Sequence, residues 1–241
     1  MTTTTTKPLQ LHPPQIEMVK NMSMLLLLQW LIVFIIVLGM NKVSPRKVRV
    51  FFSNPWLDCL AFLVLSFGCI MVCLHHSLPW YLRFTSFLAL GVLMSMVIGV
   101  TYNLEILISK DRAKTTRNLR TAWFVSIACL FLCFLLLPVL LPYAMFFRTL
   151  QTVLMAFLIV LILVGLGMMI VSKTSPRLFY VWIMAGLLLF MLFLVADVTT
   201  VVSQCKKEGT PKCDALIGST MIYVDLVNIL QKLFMVLNRH Q

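Results

Sequence analysis

Residues 179–202 read FYVWIMAGLLLFMLFLVADVTTVV, and residues 216–237 read LIGSTMIYVDLVNILQKLFMVL. Each stretch reaches the ~20 residues that a helix needs to cross a hydrocarbon core. Apolar side chains run through both without the period-two alternation and short turns of a membrane barrel, so each is expected to be a transmembrane helix. Each also holds one acid, Asp197 in the first and Asp225 in the second. An acid so placed costs roughly 2.5–3.5 kcal/mol to insert, and it normally faces the bundle interior, where it marks an ion, proton or substrate path.

The rest of the chain has the same character. Hydrophobic residues fill 61% of its 241 positions and charged residues 12%, with a mean hydropathy of +0.98. A soluble domain gives about 25% of its positions to charged groups, so lipid must be the main solvent here. Seven apolar runs are legible, at roughly 22–40, 56–74, 84–102, 121–143, 147–171, 179–202 and 216–237. The expected fold is an all-α polytopic membrane protein, a single seven-helix transmembrane bundle over residues 22–241 behind a short tail, residues 1–21. The tail opens MTTTTTKPLQLHPPQ; rich in threonine and broken by proline, it is expected to be disordered. The first apolar run is longer than a cleavable h-region and no A-x-A-like site follows it, so it reads as a retained signal-anchor. The connections are too short to hold a soluble catalytic domain.

The formal charge of +12 does not point to nucleic acid, because the basic residues flank the spans. Lys42, Arg46, Lys47 and Arg49 follow the first span, and Lys110, Arg112, Lys114, Arg117 and Arg120 follow the third. Such clusters set orientation and meet anionic head groups of the lipid bilayer. The first, third and fifth connections are the more basic set, which by the positive-inside rule puts the amino terminus outside. Trp30, Trp56, Trp80 and Trp123 are expected in interfacial belts. Gly91, Gly99, Gly165 and Gly167 should let helices approach closely, and Pro138 and Pro142 should kink the fourth span.

Of the seven cysteines, Cys59, Cys69, Cys73, Cys129 and Cys133 fall within spans as small packing residues. Cys205 and Cys213 form the plausible disulfide, provided that their loop faces an oxidising lumen. The segment CKKEGTPKC has neither a C-x-x-C spacing nor a histidine, so no fixed metal site is expected there. His75 and His76 end the second span as interfacial residues.

Depth makes the two aspartates a pair. Asp197 lies ~8 Å before the end of its span and Asp225 ~13 Å into the next, at 1.5 Å per residue. Both are entered from the same loop, so they share one half of the membrane and can meet if the helices pack. Two carboxyls that meet in a low dielectric cannot both ionise cheaply; one proton is shared and leaves at raised pH or when a cation arrives. Thr199, Thr200, Tyr223 and Asn228 offer neighbouring oxygens, and Ca²⁺ takes six to eight oxygen ligands. The alternative is that each acid caps a backbone group or pairs with a base to fix helix packing. An intramembrane aspartyl protease also pairs two aspartates, but Asp225 follows Tyr-Val rather than a glycine motif and Asp197 follows Val-Ala. No Ser/His/Asp arrangement, zinc motif or phosphate-binding glycine loop is present either, so neither enzyme activity nor a cofactor is expected.

Three further segments carry a resemblance. Tyr223, Val224, Asp225, Leu226, Val227, Asn228 and Ile229 resemble the last span of the Bax inhibitor (TMBIM) superfamily. The run SPRKVRVFFSNPWLDCLAFLVLSF, with Val48 to Phe52 and the Asn54-Pro55-Trp56 turn, is similar to the first loop and second span of its lifeguard branch, and Leu78-Pro79-Trp80 stands where that branch opens its third span. The resemblance implies that the last helix is central and that Asp197 and Asp225 form a diaspartyl pH sensor associated with Ca²⁺ leak. Asp197 would open a YDTQ-like motif, but Ala196, Val198 and Thr199 replace its tyrosine, threonine and glutamine. The second span lacks the arginine that some members hold and offers Asp58 instead. A cytosolic amino terminus is also implied, against the charge count.

The short tail and loops are similar to those of seven-span lifeguard-like proteins of herpesviruses of the cytomegalovirus type. Two functions follow as expectations. One is a pH-sensitive calcium-leak channel, Ca²⁺ being the permeant ion, that modulates calcium homeostasis and inhibits apoptosis from the endoplasmic reticulum, Golgi or another intracellular membrane. The other is a non-conducting viral protein that binds host membrane proteins and alters their surface display, at the plasma membrane among others. The sequence does not fix an oligomeric state.

Overall fold

The computed structural model describes residues 11–41, 55–109, 111–170, 175–205 and 213–239. Within them lie seven α-helices: α1 Pro13–Asn41, α2 Pro55–Leu74, α3 Trp80–Ser109, α4 Arg112–Leu140, α5 Ala144–Ile170, α6 Pro176–Gln204 and α7 Ala215–Arg239. A 3₁₀ turn over Leu141–Tyr143 joins α4 to α5, and the described residues contain no strand. The first ten residues of the tail, Lys42, Arg46, Lys47 and Arg49, the turn residue Asn54 and Lys110 lie outside the described residues, as do the side chains of Trp56, Asp58 and Cys59.

Among the described residues five stretches are long and apolar enough to cross a membrane: Pro13–Met40, Trp80–Ile106, Arg112–Met168, Pro176–Gln204 and Ala215–Asn238. The third runs 57 residues through α4, the turn and α5, ~85 Å of helix at 1.5 Å per residue against a ~30 Å core. α2 runs 20 residues, Pro55–Leu74, and the part of it described throughout, Val64–Leu74, is apolar. The class is therefore an all-helical polytopic membrane protein, while the expected seven spans correspond to five such stretches. Pro142 explains the merged pair. It sits at the start of the 3₁₀ turn, where a missing N–H costs little, so α4 passes into α5 without a loop.

Helix starts follow local chemistry more closely than hydropathy. α1 begins at Pro13, well before the apolar run at 22, so residues 13–21 of the tail expected to be disordered are helical. Two prolines at the first helical positions fix φ, and the Gln15 side chain accepts from the His12 N–H at 3.1 Å, closing the first turn. Gln15 is buried, and its amide donates across to the Val202 carbonyl at the end of α6. α4 starts where the Asp111 carboxylate accepts from the Lys114 N–H at 2.9 Å. At α7 Asp214 plays the same part, accepting from the Leu216 and Ile217 N–H groups at 3.0 and 3.2 Å.

α7 is the hub. It packs against α1, α2, α3, α4 and α6, and 56% of its apolar window is buried, against 17–39% for the other spanning stretches. Ile222, Tyr223, Leu226, Ile229, Leu230 and Phe234 are shielded from both lipid and water. α5 lies at the edge, packed chiefly along α6, with Met145, Phe157 and Leu163 turned outward.

Trp30 corrects the belt expectation. It is 5% exposed and meets the Trp123 ring edge-on at 4.6 Å, so this pair joins α1 to α4; Trp80, 63% exposed at the start of α3, does stand at the bundle edge. Three of the four expected close-approach glycines also act as such. A side chain at Gly91 would collide with Gln29, at Gly99 with Met40 and at Gly165 with Trp182, whereas Gly167 faces open space.

Candidate carboxyl-pair site

α6 and α7 run antiparallel in contact, as their facing residues show. Gly218 of α7 lies against Val201 of α6, Asp225 against Asp197, and Lys232 against Gly186. Gly218, Asp225 and Lys232 recur every seventh residue, which returns them to one face of α7. The pairing brings Asp197, ~10 Å from the end of α6, level with Asp225, ~15 Å into α7, at 1.5 Å per residue.

Both carboxyls are buried, each 6% exposed, and they lie within hydrogen-bonding reach of each other. A hydrogen bond between two carboxyls needs a proton on one of them, since an ionised carboxylate has no donor.

The first aspartate has a partner that sequence reasoning missed. The Gln151 amide of α5 donates to Asp197 Oδ1. Its signal was present, a glutamine inside the apolar run FFRTLQTVLMAF, but nothing local tied it to Asp197, 46 residues away. Asp225 Oδ2 has no hydrogen-bond partner.

The four expected supporting groups divide. Thr199 donates to the Val195 carbonyl at 2.8 Å and Asn228 to the Val224 carbonyl at 2.8 Å, so both spend a donor on their own helix. The Thr200 and Tyr223 hydroxyls are buried without a partner. Thr200 follows Asp197 by one helical turn, while the Tyr223 ring meets Phe87 of α3 edge-on at 6.3 Å. Ala196 and Val198 are fully buried beside Asp197, so the sequence departures around it form an apolar wall. Among the described residues no three His, Cys, Asp or Glu come together. The site is thus two buried carboxyls in contact across α6 and α7, with the Gln151 amide on one of them.

Gln151→Leu is expected to lower stability by about 1–3 kcal/mol, because it leaves Asp197 Oδ1 buried without its donor. Unfolding of the purified protein by dodecyl sulfate titration measures this, and an unchanged midpoint would show that Gln151 does not hold Asp197.

Above the pair, Cys205 and Cys213 are joined by a disulfide at a Cα–Cα distance of 4.6 Å. Next to it Asp214 Oδ2 lies 2.7 Å from Arg83 Nη2 of α3 and 3.7 Å from His76 Nδ1. The Arg83 approach is ionic rather than an aligned hydrogen bond, since Nη2 has none. His75 is occupied with the Ser77 hydroxyl at 2.8 Å. The four other cysteines whose side chains are described are free, with Cys73 and Cys133 buried and Cys69 and Cys129 half-buried.

The fold and site together define a polytopic α-helical membrane protein with a carboxyl pair buried between its last two helices. The family model described as inhibitor of apoptosis-promoting Bax1 matches residues 16–241. The chain therefore belongs to the Bax inhibitor family. No curated protein and no solved structure matches it.

Proposed function

We propose that the protein crosses an intracellular membrane seven times and acts as a pH-sensitive Ca²⁺ leak that raises the threshold for apoptosis. The observation that carries this reading is the contact of Asp197 and Asp225, buried in one half of the bundle with an orphaned Asp225 oxygen. With one proton shared, the carboxyls attract and hold α6 against α7. Once that proton leaves, two like charges repel in a low dielectric and the site attracts a divalent cation. Leak therefore rises with pH on the side that reaches the pair. Membership of a family described as inhibiting apoptosis supports the cellular role.

Store Ca²⁺ content in cells expressing the wild type, Asp197→Asn or Asp225→Asn tests the proposal. Asparagine keeps the volume and removes the titrating oxygen, so both variants are expected to lose the pH response and to differ from wild type in stored Ca²⁺. Equal contents in all three would sink it.

The apolar wall of Ala196 and Val198 favours a second reading, a non-conducting protein that keeps the pair as a packing device and binds other membrane proteins through its outward helix faces. Under it, surface levels of partner proteins change on expression while stored Ca²⁺ does not.

A further inference from the structure

We propose that Lys232 is a tethered cation that plugs the cation route along α7, on the far side of the carboxyl pair from the Cys205–Cys213 disulfide. The proposal rests on the leak reading above. Lys232 stands two turns beyond Asp225 on the same face of α7, ~10 Å along the axis at 1.5 Å per residue. It is 8% exposed, in a helix surrounded by others.

The surroundings of Lys232 are built for an ammonium. Nζ lies 3.5 Å from the centre of the Trp182 ring, a desolvated cation–π contact. Trp182 is fixed in turn, its indole N–H donating to the Leu161 carbonyl of α5 at 2.9 Å. Two glycines make the room. A side chain at Gly165 would strike the Trp182 ring, and one at Gly186 would crowd Lys232 Cε at 3.1 Å and Leu161 at 3.3 Å.

Among the described residues no carboxylate forms an ion pair with this charge. The described ion pairs are those of Asp214 with Arg83 and His76, and Lys232 is in neither. Beside it stand Trp182 and Gly186 of α6, neither of them titratable, with Leu161 of α5 next to Gly186. A methionine or leucine would fill the same slot without burying a charge. A lysine there has an electrostatic effect that packing alone does not require. A cation that enters at Asp197 and Asp225 next meets a fixed positive charge, with the buried Phe190, Phe193 and Ile229 on the same two helices. Occupation of the pair and passage beyond it are then separate events, and the second waits for Lys232 to move or lose its charge.

The test uses the full chain, purified and reconstituted in phosphatidylcholine vesicles loaded with a Ca²⁺ indicator and an uncharged sugar. Wild type, Lys232→Met, Lys232→Arg and Asp225→Asn are compared, with a thermal unfolding midpoint measured for each. Lys232→Met is expected to speed Ca²⁺ entry by up to about a hundredfold, the scale set by removing a full charge ~10 Å from a divalent ion at an effective dielectric near 20. Lys232→Arg should match wild type, and the sugar should be retained throughout. Lys232→Gln carries the same expectation as Lys232→Met if methionine prevents folding.

If Lys232→Met matches wild type while Asp225→Asn alters the leak, the plug is wrong and the carboxyl-pair reading stands. Sugar escaping with Ca²⁺, or Lys232→Arg leaking like Lys232→Met, would also overturn it in favour of damaged packing. If no variant differs from wild type, the plug falls together with the leak reading.

Discussion

Arg83→Ala is expected to lower the unfolding free energy by about 3 kcal/mol, the scale for removing one partner of a buried ion pair. Arg83 is buried in the first turn of α3, and its side chain serves two other helices. Its Nε donates to the Cys73 carbonyl at 3.0 Å, in the last turn of α2, where carbonyls have no partner within their own helix. Its Nη2 lies 2.7 Å from Asp214, the residue that caps α7. Alanine strands both acceptors at once. Lysine keeps the charge but loses the planar fork, so Arg83→Lys should recover only part of the loss. Thermal unfolding of wild type and both variants in the same detergent gives the comparison. If alanine matches wild type, Arg83 is not what ties α2 and α3 to the start of α7.

Gly218→Leu is expected to cost a similar amount, about 3 kcal/mol, by overpacking rather than by loss of charge. A Cβ at position 218 would come within 2.5 Å of Met22 Sδ on α1 and 2.7 Å of Val201 Cγ1 on α6. Met22 is fully buried, so it can yield only by displacing its neighbours in the core. Small residues at such crossings let helices approach where lipid supplies no hydrophobic drive. Because Gly218 lies on the same face as Asp225, the wedge should also part the two carboxyls. Gly218→Leu should therefore blunt the pH response of the leak as well as lower stability. A destabilised variant with a normal pH response would uncouple the two levels of the α6–α7 interface.

Much of this was legible in the sequence. The apolar runs gave the class, and Asp197 and Asp225 stood out because a charge in oil is conspicuous. Helix rise and the short loop between them put the two at one depth, where they meet if the helices pack. Groups made conspicuous only by their neighbours were not legible. Gln151 is one amide in a long run, and its link to Asp197 depends on α5 packing along α6, which no local pattern encodes. Trp30 reads as a belt residue until α4 brings Trp123 to it. The start of α1 was misplaced because hydropathy marks where lipid begins, while Pro13, Pro14 and Gln15 mark where the helix begins. Lys232 was visible as a charge inside a span, but the aromatic face and the glycine that receive it come from another helix.

The hub helix is made after the six that pack around it or along it. A ribosome makes α1 through α6 before α7 exists, so the earlier helices must wait without the surface they are shaped to enclose. During that interval Asp197 has no carboxyl opposite it and Arg83 has no Asp214. A chain stalled or truncated before residue 215 would thus present unpaired charges inside the membrane, the kind of surface that chaperones and membrane proteases recognise. Arrival of α7 both completes the site and ends that exposure.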